Sequence, residues 1–86
     1  MKVKIDKELS LEIDDRKLDD FELVEALTDV DKGKLGRLTD AIDILLGDSK
    51  PILFGHIKEK KGYLSTEEIK NALLKIFEEM KAGKKS

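Results

Sequence analysis

The sequence of 86 residues contains no cysteine and no tryptophan, and only 5% of it is aromatic. Without cysteine it has neither a disulfide framework nor a thiolate metal site. No run of about 18 apolar residues occurs, and the first residues, MKVKID, lack the apolar core of a signal peptide. A chain this short buries roughly 60–65% of its unfolded surface, so its core is small. These absences predict a single soluble, cytoplasmic domain over residues 1–86, without a membrane partner or a deep catalytic cleft.

Charge is abundant, at 42% of residues, but it is unevenly distributed. Residues 18–49 hold three basic and nine acidic side chains, whereas residues 50–86 hold nine basic and five acidic ones. The acidic middle argues against nucleic acid as a partner, because phosphate binding needs a clustered basic surface. Most of these charged side chains are expected to lie on solvent-exposed helix surface. Some of them can form ion pairs between copies of the chain and so support a homo-oligomer. The candidate electrostatic contacts are Glu22, Glu25 and Asp29 in the acidic region and Lys60, Lys61 and Lys75 in the basic one.

Alternation of apolar and polar residues predicts two short strands at the start of the chain. Residues 2–5 and 9–13 each present one apolar face, and residues 6–8 form the turn between them. Because a two-stranded hairpin is marginal in water, residues 1–14 are expected to pack on helices. The sequence therefore predicts an α+β fold that is mainly helical.

Helical periodicity runs through residues 19–81, which are predicted to form a bundle of about four helices. The first two helices form a helical hairpin within residues 18–47, with a cap at Asp19 or Asp20 and a stop at Gly47. Their predicted buried faces are Phe21, Leu23, Val24, Leu27 and Val30 in the first helix and Leu35, Leu38, Ala41, Ile42, Leu45 and Leu46 in the second.

The third helix is predicted to be short. Asp48 or Ser49 caps it, and Pro51 lies in its first turn, where the missing amide hydrogen costs nothing. Gly55 weakens it by up to ~1 kcal/mol relative to alanine, and the lysine-rich residues 58–62 end it.

The fourth helix has the clearest start signal. Residues 65–68, with the sequence STEE, form a capping box, and Leu64 and Ile69 are placed as its hydrophobic staple. Residues 82–86 are predicted to be a frayed tail.

Two stretches partly match the calcium-binding loop of an EF-hand. The loop that begins at Asp29 has Lys34 where glycine is required. In residues 57–68, Glu59 is the one carboxylate among the first three ligand positions. A turn followed by a capping box is the favoured interpretation, and a degenerate EF-hand-like or other small helical adaptor remains an alternative function.

The tripeptide Gly47-Asp48-Ser49 resembles the phosphopantetheine-bearing turn of acyl carrier proteins. That family has an apolar residue after the serine and no leading hairpin, whereas Lys50 follows here. Ser49 is therefore interpreted as a helix cap, and its modification as a less favoured alternative.

His56 is the only histidine and lacks companions for catalysis or metal binding. A nucleophile–base pair or a zinc site needs further ligands or an orienting group nearby. Packing at the boundary of the core is the favoured interpretation, so no catalytic, cofactor-binding or metal-binding residue is assigned and the protein is predicted not to be an enzyme.

Three apolar side chains fall outside the main stripe of their helices, namely Ile44, Phe54 and Leu74. Either irregular packing buries them, or they form a docking surface for another chain or for copies of this one. They are the candidate partner-binding residues.

The runs LDDFELVEALTDVDKG, IDILLG and GYLSTEEIKNALLKIFEE follow a leading MKVKID hairpin in an order that resembles the small tail assembly chaperones of long-tailed bacteriophages and prophages. The likeness spans nearly the whole chain, and its specificity lies in the order and spacing of the elements. It departs most in residues 49–62, SKPILFGHIKEKKG.

This resemblance implies a non-enzymatic protein without a cofactor. Such chaperones bind the tape measure protein in the host cytoplasm, keep it soluble, help to recruit the tail tube protein, and are absent from the mature virion. Many members also make a frameshifted longer form of themselves, and a slippery run of codons for Lys84 and Lys85 is the hypothetical site of that event.

Overall fold

The chain begins with an antiparallel hairpin in the computed structural model, which describes the backbone of residues 1–85 and the side chains of residues 1–83. Strands β1 (Lys2–Lys4) and β2 (Ser10–Glu12) pair so that Val3 lies opposite Leu11. Both side chains are buried, while their neighbours along each strand are exposed. The predicted hairpin and the position of its turn are confirmed.

Mainly helical structure follows the hairpin, as predicted for an α+β fold. Short 3₁₀ turns at Asp15–Asp19, Leu35–Arg37 and Gly47–Ser49 connect the elements. No helix within residues 1–85 is long and apolar enough to cross a membrane. The α-helices are α1 (Phe21–Asp31), α2 (Leu38–Leu46), α3 (Lys50–Lys61) and α4 (Thr66–Lys85).

Two of the predicted helix caps are confirmed. The Asp20 carboxylate accepts hydrogen bonds from the backbone N–H groups of Glu22 and Leu23 at 3.0 and 3.4 Å. The Ser65 hydroxyl accepts one from the backbone N–H of Glu68 at 3.2 Å. Each cap satisfies amide donors that have no partner inside the helix.

The predicted cap of α3 is wrong. Gly47 turns the chain with a φ of 49°. The 3₁₀ turn that starts there runs straight into α3, so Ser49 already has helical backbone angles. An extended backbone is what lets a cap side chain reach back to the first amides. The Ser49 hydroxyl donates instead to the backbone carbonyl of Glu12 at 3.5 Å and ties α3 to the hairpin.

The core lies between the hairpin and the helices. α1 packs on α2, and α4 contacts β1, α2 and α3, so the last helix closes the core. The buried apolar residues are Val3, Leu11, Ile13, Leu23, Ala26, Leu27, Val30, Leu38, Ala41, Ile42, Leu45, Leu46, Leu53, Ile57, Ile69, Leu73, Ile76 and Met80.

Two residues predicted to be buried lie at the surface. Phe21 is 72% exposed because it is the first residue of α1, ahead of the turn at which Leu23 starts the buried face. Leu35 is 49% exposed because it belongs to the 3₁₀ turn before α2 and does not follow the periodicity of that helix.

The end of α4 also differs from the prediction of a frayed tail. The helix continues through Lys85, and its last turns meet the amino terminus of the chain. A β-carbon placed on Gly83 would lie 3.5 Å from the Met1 Cε atom, which is ordinary van der Waals contact. Ser86 lies outside the described residues.

Candidate functional site

An open apolar groove of about 380 Å³ lies on the outer face of α3. Pro51, Phe54 and Gly55 share this face because they are three and four residues apart on the helix. Leu64, from the loop between α3 and α4, completes the apolar lining. The groove is thus built from one helix face and one loop residue.

Gly62 sets the direction of that loop. It ends α3 in the left-handed conformation, with φ of 83°, and its N–H donates to the carbonyl of Lys58 at 2.7 Å. Glycine adopts this conformation without the steric cost that a β-carbon imposes. The reversal brings Leu64, the predicted staple residue, to the groove, where it is 41% exposed, whereas Ile69 is buried.

Gly55 lies in the middle of α3, where neither its surroundings nor its backbone requires glycine. Apart from the adjoining residues and the backbone of the surrounding helical turns, no atom lies within 4 Å of the position that a β-carbon would take, and φ is not positive. Glycine inside a helix costs roughly 0.5–1 kcal/mol relative to alanine. The missing side chain leaves the floor of the groove open at this position.

We expect Gly55→Ala to raise the free energy of unfolding by about 0.5–1 kcal/mol, because alanine restricts the unfolded chain and clashes with nothing. Urea denaturation followed by circular dichroism at 222 nm measures the change. A loss of stability would show that the fold itself needs glycine here.

Lysines lie at the two ends of the groove. The Lys50 ammonium lies 5.6 Å from the centroid of the Phe54 ring and 3.4 Å from a carboxylate oxygen of Asp43. Lys58, eight positions further along α3, has no ion pair among the side chains of residues 1–83. At 1.5 Å per residue the two lysines are about 12 Å apart along the helix.

The three candidate partner-binding residues are half-buried at the edge of the core and do not line a common depression. Phe54 lines the α3 groove. Ile44 lines a separate hollow beside α1, and Leu74 lines neither depression. Because Leu74 packs against the core, a charge placed there would disturb the fold as well as any contact.

The acidic candidates surround Arg37. The guanidinium of Arg37 lies 3.2 Å from the Asp29 carboxylate and 3.8 Å from that of Glu25. Glu22 lines the same hollow and has no ion pair among the described side chains of residues 1–83. The pairs between Arg37 and the acids of α1 therefore fasten the 3₁₀ turn before α2 to α1.

The basic candidates line a second, smaller groove between the hairpin turn, α3 and α4. All three lysines have contacts within the chain, so they hold its elements together in addition to any role at an interface. The contacts are Lys60 to the Asp6 carboxylate at 3.6 Å, Lys61 to that of Glu68 at 3.9 Å, and Lys75 to the backbone carbonyl of Ile5 at 2.8 Å.

His56 has a partner that the sequence did not reveal. Its Nε2 atom lies 2.6 Å from a carboxylate oxygen of Asp6, fifty positions away in the hairpin turn. The hydrogen bond from His56, together with one from the backbone N–H of Glu8, holds the pKa of the Asp6 carboxyl well below its usual range. His56 therefore docks the hairpin turn on α3.

We expect Asp6→Asn to lower the melting temperature at pH 7, because the hydrogen bond from His56 then loses its charged acceptor. The lowered pKa of Asp6 means that its contribution is complete above the unfolded value near 3.8 and is lost as pH falls through the folded pKa. The difference in melting temperature between the variant and the wild type should therefore shrink below about pH 4. Thermal scans from pH 7 to pH 2 measure it, with Glu8→Gln as the control, and a difference independent of pH would contradict the role of the carboxylate.

Within residues 1–85 no group of three or more histidine, aspartate or glutamate side chains is arranged to hold a metal ion. Comparison of the chain with family models, curated proteins and solved structures finds no match in any of the three. The α3 groove is therefore identified as the candidate site from its shape and its apolar lining alone.

Proposed function

We propose that this protein is a non-enzymatic tail assembly chaperone of a long-tailed bacteriophage or prophage, which binds the tape measure protein in the host cytoplasm and keeps it soluble. The resemblance of residues 18–33, 42–47 and 62–79 supports the identity of the client. The α3 groove is the single structural observation that supports a docking role.

An apolar groove on a highly charged domain is suited to covering the apolar stripe of a helical client. Contiguous exposed apolar surface on a small protein marks an interaction site more often than isolated exposed residues do. Grooves of this kind bind amphipathic helices through apolar anchors spaced at helical intervals. The large apolar side chains with the greatest exposure are Phe21, Leu35, Ile52, Tyr63 and Leu64.

The wider set of partners follows from the resemblance. We include the tail tube protein, a frameshifted longer form of this chain and further copies of it as proposed partners, and we propose no nucleic-acid or membrane partner. The side chains of Lys84 and Lys85, whose codons are the hypothetical frameshift site, lie outside the described residues. The protein is expected to be absent from the finished virion.

We expect a tape measure gene beside the gene of this chain, and the test is to co-express the two proteins. We expect the soluble fraction of the tape measure protein to increase severalfold, because its apolar stripes are covered, and the two proteins to purify together through a tag on either. A small helical protein of similar charge serves as the control. Equal solubility with and without the chain, or no co-purification, would overturn the proposed function.

A further inference from the structure

We propose that the α3 groove holds the client, and that it selects an amphipathic helix whose apolar side chains are flanked by carboxylates about two turns apart. The identity of the client rests on the proposed function, whereas the chemistry of the bound helix is inferred from the groove itself.

The floor of the groove has room for the backbone of a partner helix to come close to α3. Gly55 leaves open space where any other residue would place a side chain, and Pro51, Phe54 and Leu64 supply apolar surface around it. A partner helix can therefore bring its backbone near α3 and place apolar side chains against Phe54 and Leu64. A substitution that fills this floor should block binding without disturbing the core.

The lysines at the two ends of the groove indicate which charges the partner helix carries. Lys50 and Lys58 lie about 12 Å apart along α3, which equals eight residues of a second helix lying alongside it. Lys58 has no ion pair among the side chains of residues 1–83, and the Lys50 ammonium, which already pairs with Asp43 and lies over the Phe54 ring, has further hydrogens to donate to a partner. Carboxylates at positions i and i+8 of the partner would complement both lysines, whereas lysines there would be repelled.

A pair of matched peptides tests this inference. Each probe is a stapled helix of about 15 residues with leucines along one face, long enough to span the distance between Lys50 and Lys58. The probes differ in having two glutamates or two lysines at positions i and i+8. Binding is measured by fluorescence anisotropy, and the site is mapped by amide chemical-shift changes in the chain.

We expect the glutamate probe to bind about tenfold more tightly than the lysine probe and to shift the amides of residues 50–64. Gly55→Met, which fills the floor, and Leu64→Glu, which places a charge in the apolar lining, should each weaken binding at least tenfold. Leu35→Glu is the matched control, since Leu35 is a leucine of similar exposure outside the groove, and it should bind like the wild type. Circular dichroism verifies that each variant is folded.

The inference is overturned if neither probe binds, if both bind equally, or if Gly55→Met and Leu64→Glu bind as the wild type does. It is also overturned if the chemical shifts move elsewhere, or if the chain alone shows concentration-dependent shifts in the groove, which would assign it to a second copy. Tape measure protein that stays soluble with both groove variants would refute the inference and leave the proposed function intact. Probe binding in the groove without an effect on the solubility of the tape measure protein would support the inference about the bound helix and refute the proposed function.

Discussion

Replacing Leu73 with alanine is expected to lower the free energy of unfolding by about 2–5 kcal/mol, which is much of the total stability of a domain this size. Leu73 lies in α4 and is completely buried within the core cluster. Alanine removes most of the buried side chain, and the close-packed neighbours fill the resulting cavity only in part. The variant should therefore be partly unfolded at ambient temperature.

Urea denaturation measures this loss, and Phe21→Ala provides the contrast. Phe21 was predicted from its helical spacing to be buried but is 72% exposed. Its truncation should therefore change the free energy of unfolding by less than about 0.5 kcal/mol. Equal losses for the two variants would show that α1 or α4 is rotated relative to the arrangement described.

Gly62→Val is expected to cost about 1–3 kcal/mol, because a β-branched residue at a φ of 83° is strongly strained. The same turn aims Leu64 at the groove, so the variant should also weaken binding of a helical partner. Urea denaturation measures the stability, and the glutamate probe described above measures the binding.

Gly62→Asn is the matched control, since asparagine tolerates the left-handed conformation better than other residues with a side chain. It should retain most of the stability that valine loses. If valine were tolerated as well as asparagine, the left-handed end of α3 would be contradicted, and with it the placement of Leu64.

Local signals in the sequence predicted much of the fold. The alternation around Val3 and Leu11 identified the hairpin, and Ser65 marked the start of the last helix, where it forms a cap. For the first helix the cap was narrowed to Asp19 or Asp20, and Asp20 forms it. These features depend on residues within a few positions of one another. Their physical causes are therefore visible in a short stretch of sequence.

Features that depend on distant segments could not be predicted in this way. The partner of His56 is Asp6, and no local spacing connects them. Ser49 has the residue type of a cap, but the turn that starts at Gly47 directs its hydroxyl to Glu12. Each outcome depends on how the hairpin packs on α3.

The groove was only partly visible in the sequence. Phe54 was identified as an apolar residue outside the main stripe of its helix, which is where the groove lies. Gly55 was interpreted as a weakness of the third helix, and Leu64 as part of a staple. The spacing of Pro51, Phe54 and Gly55 on one helix face was the available signal, but the position of Leu64 depends on the turn at Gly62.

The most direct test of the proposed function is light scattering on the co-expressed chain and tape measure protein as they leave a size-exclusion column. We expect one peak that contains both proteins, with a mass above that of the tape measure protein alone and the chain in excess of one copy per client. Elution of the chain by itself at 9.7 kDa, with the tape measure protein equally soluble in its absence, would contradict it.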